Sequence, residues 1–277
     1  MPPRPLRHIT PALVTPALVA ALSGAMLVSG AAVAAAAPPP RHVAAAPAPV
    51  RLAAAAPVGA APTAGGYPRF YRPGIKRGAR DGGPSAIRHV RELQYRLRWA
   101  KTYRGPVTGY FGTRTQAGVK AFQRKYKLPA TGRVDARTWR VLIKKTLKRT
   151  SAVPRVCKRS GWRGCYDRKS HQLFLFRDGS LWNVWLVRGG SRGHATRTGT
   201  HAVYARYTKK RSSLYGTWMY YFQKFDGGIG LHGSPIMTNP FSGHSHGCVN
   251  MYIPDSKVLW NMTHKRRLVV TVYGPWS

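Results

Sequence analysis

Apolar positions along the chain fall into four successive patterns. A nearly continuous apolar run covers residues 13–33, and a stretch rich in alanine and proline, without aromatic residues, follows it to residue 66. Apolar residues then recur at helical spacing within 85–148, and strand-like apolar runs begin near residue 155. These patterns predict a targeting segment, a linker, a small helical unit and a mostly β domain.

The N-terminal apolar run has the features of an export signal. Arg4 and Arg7 precede it, and the small residues at 32–34 suit signal cleavage. The run is also long enough to span a bilayer, so a retained membrane anchor is the alternative. Both alternatives place the remaining chain outside the cytoplasm. We therefore predict a signal peptide at 1–34 and a semi-extended linker at 35–84.

Residues 85–148 are predicted to form three short helices around a small core. Val90, Leu93 and Leu97 lie on one face of the first helix. Each of the two other helices follows one copy of a repeated turn, at 108–115 and 131–138. The copies share threonine, glycine and arginine positions at an offset of 23 residues, which indicates an internal repeat.

Capping residues predict where the second and third helices begin. Thr113 and Gln116 have the spacing of a capping box, in which each side chain binds the backbone of the other residue. Asp135 is suited to cap the third helix, whose buried face is predicted to contain Trp139 and Leu142.

From residue 149 to residue 277 the pattern predicts a mostly β domain. Apolar and aromatic residues fill 171–176 and 181–187, and Asp178-Gly179 between them is the dipeptide that a tight hairpin turn prefers. Further strands are predicted at 202–207 and 268–273, and a short helix is predicted near Asp255. We expect a β-sandwich or an open barrel, with the chemistry on its loops.

The charge balance predicts a polyanionic partner. The chain has 46 lysine and arginine residues against 7 acidic residues, a formal net charge of +39. Nucleic acid is the usual partner of so basic a protein. Outside the cell the abundant polyanion is the cell wall, and the aromatic residues are placed as strand core rather than as a base-stacking platform. The sequence therefore favours the wall over nucleic acid.

The cysteines divide into a pair and a single residue. Cys157 and Cys165 flank a polar segment with two glycines, which allows the chain to fold back into a small disulfide loop. Cys248 is left without a partner and follows His232 by sixteen positions. A lone thiol in an exported protein risks wrong pairing, so its presence beside histidines predicts a reactive nucleophile.

The chemistry predicted for Cys248 is acyl transfer. His232 is suited to accept the thiol proton and to return a proton to a departing amine. The backbone N–H groups of Gly247 and Cys248 are candidate donors to the oxyanion that forms. The domain has only four acids, so we expect the backbone carbonyl of Gly233 to orient the imidazole, with Asp226 as the alternative.

Two family resemblances follow from these residues. The helical unit resembles a peptidoglycan-binding domain, and that resemblance rests on positions Val90, Leu93, Gln94, Leu97, 109–112, Thr115, Phe122, Gln123, Leu128, Gly132, Thr138, Trp139 and Leu142. Residues 165–275 resemble the YkuD-type L,D-transpeptidase catalytic domain, through 230–233 and the run from Ser245 to Met251. One departure is Arg197, where that family usually has proline.

The second resemblance implies a two-step exchange in the wall. Cys248 would attack the peptide bond before a terminal D-alanine of a donor stem peptide and form a thioester, which a side-chain amine of a second stem would then cleave to form a cross-link. It implies that Ser245 and His246 shape the loop and that Asn250 helps hold the site. It also implies carbapenem acylation and an aromatic substrate groove, formed by Trp218, Tyr220, Tyr221 and Phe222. The alternative for these four residues is that they form strand core.

The sequence predicts no cofactor and no metal for this reaction, since the thioester retains the energy of the cleaved amide. The alternative of a zinc site would use His232, His244, His246, His264 and Cys248. Three functional alternatives also remain: an inactive wall-binding protein, an L,D-carboxypeptidase with water as acceptor, and an extracellular nucleic-acid binder. A membrane contact is expected only through an uncleaved signal segment.

Overall fold

The computed structural model describes residues 66–277. The predicted signal peptide and residues 35–65 of the predicted linker lie outside the described residues. Within 66–277, no helix combines the length and apolar character needed to cross a membrane.

Three helices form the helical unit, as the apolar spacing predicts. They are α1 (Val90–Trp99), α2 (Thr113–Lys125) and α3 (Ala136–Lys145). Their inward faces are fully buried, and the largest of these side chains is that of Trp139. The core thus contains the residues that the helical spacing placed on the inner faces.

A glutamine from the preceding helix holds each copy of the repeated turn. Gln94 accepts hydrogen bonds from the backbone N–H groups of Thr108 and Gly109, at 3.0 Å each, and its amide nitrogen donates to the Tyr110 carbonyl. Gln123 makes the corresponding bonds in the second copy, to Gly132 N at 2.9 Å and to the Arg133 carbonyl at 2.7 Å. The same hydrogen bonds from a glutamine side chain therefore hold both copies of the repeated turn.

Of the two predicted helix caps, one is confirmed and the other is wrong. Asp135 accepts a hydrogen bond from the backbone N–H of Thr138 at 2.7 Å and caps α3, which confirms that prediction. Thr113 lies inside α2, whose N-cap is Gly112 without a side-chain bond, so the predicted capping box is wrong. At α1 the N–H groups of Val90 and Arg91 bind Asp81, which the local sequence did not indicate.

The β domain has nine strands among the described residues, and one helix. The strands are β1 (Trp162–Asp167), β2 (Gln172–Arg177), β3 (Ser180–Leu186), β4 (Gly199–Ala202), β5 (Ala205–Arg211), β6 (Trp218–Asp226), β7 (Ile229–Gly233), β8 (Val249–Met251) and β9 (Leu268–Tyr273). The helix is α4 (Ile253–Thr263), the fourth α-helix described, and it begins two residues before the predicted Asp255. Short 3-10 helices lie at Pro84–Ala86, Thr150–Ala152, Arg155–Lys158 and Arg192–His194.

The strands form two sheets, in the orders β3-β2-β1-β9-β4 and β5-β6-β7-β8. Asp178 and Gly179 both have positive φ in the two-residue turn between β2 and β3, as the predicted hairpin requires. The strand predicted at 202–207 is wrong, because β4 ends at Ala202 in one sheet and β5 begins at Ala205 in the other. The apolar pattern alone does not show that the chain passes from one sheet to the other between Ala202 and Ala205.

The helical unit and the β domain share a hydrophobic core. Phe174, Phe176 and Val184 of the β domain belong to the same buried cluster as the three helices. Cys157 and Cys165 lie in that cluster too, joined by the disulfide that the sequence predicted. A second buried cluster joins residues of both sheets to α4.

Residues 67–84 pack against the folded part. Phe70 and Ile75 are buried in the shared core, and Ile75 exchanges backbone hydrogen bonds with Val134 at 3.0 and 2.8 Å. Arg72 is buried at the junction of the two domains. The linker predicted to extend to residue 84 therefore ends before residue 67. Residues 67–84 contain a few widely spaced core residues, such as Phe70 and Ile75. The sequence did not reveal them because their partners are distant in the chain.

Candidate active site

Parallel pairing of β7 and β8 brings His232 and Cys248 to neighbouring strands. His232 lies opposite Asn250 in the register, and Cys248 immediately precedes β8. The backbone N–H of Gly230 on β7 hydrogen bonds the Cys248 sulfur. The thiol is partly exposed and lies 3.9 Å from the Gly228 carbonyl oxygen. The pairing of β7 with β8 thus brings together two segments whose key residues, His232 and Cys248, are sixteen positions apart in the sequence.

The imidazole of His232 is held by its own strand. Its Nδ1 lies 3.1 Å from the Gly233 carbonyl oxygen, the partner expected from the sequence. Because a carbonyl only accepts, this bond requires Nδ1 to bear the proton, which leaves Nε2 free to accept one. Asp226, the alternative partner, binds Arg197 at 2.8 Å instead. Phe222 packs edge-on against the imidazole, with ring centroids 5.9 Å apart.

Burial makes both groups neutral near pH 7. Burial raises the pKa of Cys248, and the bond from Gly230 offsets only part of that rise. Burial lowers the pKa of His232 to about 4; the bond to Gly233 opposes this shift and the charge of Arg188 adds to it. A thiolate–imidazolium pair formed in advance would require the opposite shifts. The Cys248 thiol and the His232 imidazole are therefore both neutral.

Ser245 and Gly247 close the loop before Cys248. The Ser245 hydroxyl donates to the Cys248 carbonyl and accepts from the Gly247 N–H at 3.1 Å. Thr196 donates to the Gly247 carbonyl at 2.7 Å, a contact that the sequence did not reveal. Gly247 has a φ of +119°, which glycine adopts readily and other residues do not. The prediction that Gly247 offers its N–H to an oxyanion is thus wrong for this conformation, since Ser245 already occupies that N–H.

The remaining histidines lie in different surroundings. His246 is exposed and stacks on Tyr215 at 4.1 Å, His244 lies against Trp276, and His264 stacks on Trp260 in α4. Within 66–277 the one group of possible metal ligands is His89, Glu92 and Asp255, at the domain junction. Both oxygens of Glu92 bind arginines there, so the two guanidinium groups would repel a metal cation.

Comparison with known families identifies both units. Residues 163–272 match the family model described as the L,D-transpeptidase catalytic domain. The β domain is an L,D-transpeptidase catalytic domain. Residues 88–142 match the model of a putative peptidoglycan binding domain, which is the helical unit.

Individual relatives cover the chain to different extents. The spore cortex-lytic enzyme of Bacillus cereus is 40% identical over 72 residues, which are 26% of this chain and 26% of that enzyme. The chain therefore spans about a quarter of the length of the curated relatives it matches. A solved L,D-transpeptidase from Stackebrandtia nassauensis is 26% identical over 76% of this chain and 98% of that chain, with a TM-score of 0.47. Another, solved in complex with imipenem, is 15% identical over 41% and 59%, with a TM-score of 0.37.

In the L,D-transpeptidase domain the four predicted groove aromatics make different contacts. Phe222 is buried beside His232. The ring of Tyr221 instead faces Trp260 of α4, with the ring centroids 6.1 Å apart. Trp218 and Tyr220 both lie under the ammonium group of Lys209, at 4.2 and 5.6 Å. The pairing of β6 with β7 shifts register between Tyr220 and Gln223, so Tyr221 and Phe222 lie in an irregular part of β6. Phe222 thus lies beside His232 in the candidate site, while Tyr221 lies against α4.

Arg188 is a residue of this domain that sequence reasoning missed. It follows β3 and exchanges backbone hydrogen bonds with Asn250, at 2.9 and 2.8 Å. Asn250 is also the register partner of His232. The signal available in the sequence was a single arginine in the otherwise apolar run 184–190, but nothing local indicated its neighbours.

Proposed function

We propose that this protein is an exported L,D-transpeptidase that forms peptidoglycan cross-links through a thioester on Cys248. The observation that supports this most directly is an unpaired thiol immediately before β8, next to the strand that contains a buried histidine whose Nδ1 is bound to the Gly233 carbonyl. The match of residues 163–272 to the L,D-transpeptidase model supports the reaction class.

Acylation begins from neutral groups. His232 Nε2 takes the proton of Cys248 as the sulfur attacks the carbonyl carbon that precedes the terminal D-alanine. The tetrahedral intermediate collapses when its C–N bond breaks, and the imidazolium returns the proton to the leaving amine. D-Alanine departs and a thioester remains on Cys248. Transfer then reverses these roles: an acceptor amine attacks the thioester carbon and gives its proton to His232, the C–S bond breaks as the new amide forms, and the imidazolium returns the proton to the Cys248 sulfur.

The oxyanion needs a donor other than Gly247. We assign this role to the backbone N–H of Cys248, which lies on the attacking residue itself. Ser245, Thr196 and Gly247 act by holding the loop, because their hydrogen bonds end on each other and on the Cys248 carbonyl. Asn250 holds β8 between His232 and Arg188, and His246 lies at the entrance against Tyr215.

The setting that we propose is the cell wall. The match of residues 88–142 to a peptidoglycan-binding model, together with a formal net charge of +39, fits a protein that binds an anionic wall and its stem peptides. We propose export through the signal segment at 1–34. We also propose that the two sheets pack as a sandwich, since one buried cluster contains residues of both.

Intact mass spectrometry tests the nucleophile. Incubation with imipenem should add one drug mass to the wild-type protein and none to Cys248→Ala. Thermal unfolding of the variant shows whether it remains folded. An adduct that persists in a folded Cys248→Ala protein would overturn the assignment.

Product analysis tests the reaction. Disaccharide tetrapeptides should yield cross-linked dimers and free D-alanine with the wild-type protein. D-Alanine without dimers would identify water as the acceptor and the protein as a carboxypeptidase. Neither product, with folded protein, would overturn the proposed activity.

A further inference from the structure

Arg188 is a buried cation next to the proposed active site. Its side chain belongs to a residue that is only 6% exposed. Nη1 donates to the Ser242 carbonyl at 2.9 Å, and Nε is buried without a hydrogen-bond partner among the described residues. A carbonyl dipole does not neutralise a guanidinium, so the charge stays unpaired and the buried Nε–H has no acceptor among the described residues.

No acidic side chain of the protein pairs with Arg188. All seven acidic side chains of the chain lie within 66–277, and each contacts other groups. Asp81 and Asp135 cap helices, Glu92 binds Arg72 and Arg96, Asp255 binds His89, and Asp167, Asp178 and Asp226 lie against Arg149, Arg177 and Arg197. No salt bridge among the described residues includes Arg188, so the side chain is open to an anion supplied by another molecule.

The other buried arginines show what such a cation normally has. Arg72 and Arg96 are 2% and 0% exposed, and both bind Glu92, at 2.7 and 2.8 Å. Arg188 is the one buried arginine of the described residues whose side chain has no acidic partner. Burying an unpaired cation is strongly unfavourable, which implies that Arg188 is paired when the protein functions.

Arg188 lies in line with the proposed catalytic pair. Residues directly opposite on adjacent strands project from the same face of a sheet. Arg188 is opposite Asn250, and Asn250 is opposite His232, so the three form one row across the strands. Ser242, which binds the guanidinium, belongs to the loop that leads into Cys248. The unpaired charge thus lies on the face where a donor peptide would lie.

We propose that Arg188 binds the terminal carboxylate of the donor peptide, that is, the carboxylate of the residue released on acylation. This inference rests on the proposed function. Arg188 is two positions along β8 and one strand across from Cys248, roughly 7 Å along and 5 Å across. The terminal carboxylate is one residue, roughly 4 Å, beyond the attacked carbonyl, and an extended arginine covers the remaining distance. A planar guanidinium binds a carboxylate through two parallel N–H bonds.

Such a contact would determine specificity. A peptide bond followed by a free carboxylate would place an anion at Arg188, whereas an internal peptide bond would leave the cation unpaired. The L,D-transpeptidase domain would therefore act on the last bond of a stem peptide. Chains continuing beyond that residue would bind poorly.

Equilibrium binding to the Cys248→Ala protein tests this without turnover. The probes are a disaccharide tetrapeptide with a free terminal carboxylate and the same compound with a terminal amide. We expect the acid to bind about 10- to 100-fold more tightly, the range for hydrogen bonds to charged groups. Adding Arg188→Met should reduce that ratio to about 1. Adding Arg188→Lys, which keeps the charge but not the planar fork, should give an intermediate ratio.

The control for lost positive charge is Arg192→Met, at an exposed arginine of the same domain, which should keep the full ratio. Thermal unfolding verifies that each variant is folded. Equal binding of acid and amide, a ratio that survives Arg188→Met, or no measurable binding of either probe would overturn the proposal. A third probe, with the internal carboxylates amidated and the terminal one free, should bind like the acid; loss of binding would place a different carboxylate at Arg188.

Failure of this inference is distinguishable from failure of the proposed function. If wild-type protein releases D-alanine but shows no acid preference, only the role of Arg188 is wrong. If the acid preference is present while imipenem adduct and D-alanine release are both absent, the carboxylate site stands and the proposed reaction falls.

Discussion

At the scale of single residues, burial sets the protonation states of Cys248 and His232. The thiol and the imidazole are each shifted towards the neutral form. In the proposed reaction, proton transfer would therefore accompany attack on the substrate instead of preceding it. A neutral thiol is also protected against oxidation, since the thiolate is the reactive species.

The pH dependence of alkylation tests this neutral state. The rate at which iodoacetamide modifies Cys248 should rise continuously from about pH 6 to about pH 9, because the thiolate fraction increases tenfold per pH unit below the pKa. Mass spectrometry measures the rate, with Cys248→Ala as the background. A rate independent of pH near neutrality would show a thiolate–imidazolium pair and contradict the expectation.

His232 should make stability depend on pH. Its pKa is about 4 in the folded protein against an ordinary value of 6.5, so folding favours the neutral ring. This contribution is fully present above about pH 6.5 and is lost as the pH falls towards 4, for a total of about 3 kcal/mol. Urea unfolding at both pH values measures it. His232→Asn, which cannot titrate, should lose correspondingly less stability, and an equal loss would contradict the assignment.

At the scale of elements, the loop from Ser245 to Cys248 is shaped by its own hydrogen bonds. The loop has to turn sharply before β8, and a positive φ at Gly247 makes this turn. Its peptide groups bind Ser245 on one side and Thr196 on the other. Helix α1 supports the preceding segment, where the Tyr95 hydroxyl donates to Asn239 at 3.0 Å.

Gly247→Ala should impair the site more than the fold. A Cβ at this position would lie 3.3 Å from Ile229 in a backbone conformation that alanine disfavours. We expect the imipenem acylation rate to fall about 100-fold, the cost of a displacement near 1 Å in a reacting geometry. Stopped-flow or timed mass spectrometry measures it. The matched control is Gly193→Ala, where a Cβ meets nothing within 4 Å; equal effects of the two changes would contradict this role.

At the scale of the whole molecule, buried charges join the helical unit to the L,D-transpeptidase domain. Arg72 and Arg96 both donate to the Val184 carbonyl of β3, and both bind Glu92 of α1. Burial alone would raise the pKa of Glu92, but the two arginines hold it at about 2. One carboxylate thus keeps two buried cations at the junction.

Glu92→Gln should be strongly destabilising. The change leaves two buried arginines with no carboxylate from α1, which we expect to cost about 3–5 kcal/mol of unfolding free energy. Urea unfolding of the full chain measures the loss. Asp178→Asn removes an exposed charge and should cost far less, because its carboxylate remains largely in solvent. A loss below about 1 kcal/mol for Glu92→Gln would show that the junction does not depend on this cluster.

Local chemistry accounts for what could be predicted. The Asp178-Gly179 turn, the Asp135 cap and the apolar face of α1 depend on neighbours within a few residues, so periodicity and residue type were sufficient. The pairing of Cys157 with Cys165 also spans a short segment. The motif around Cys248 indicated the chemistry because reactive groups are few in this chain.

Contacts between distant residues account for what could not. The unpaired state of Arg188, the Thr196 bond to Gly247 and the burial of residues 67–84 all join positions far apart in the chain. By itself, the sequence determined most of the elements and singled out the proposed nucleophile and base, because these follow from local pattern and from reactivity. Only the tertiary structure decided which backbone N–H groups are occupied, which charges are paired and which residues share a face with Cys248, because packing between strands and helices sets those distances.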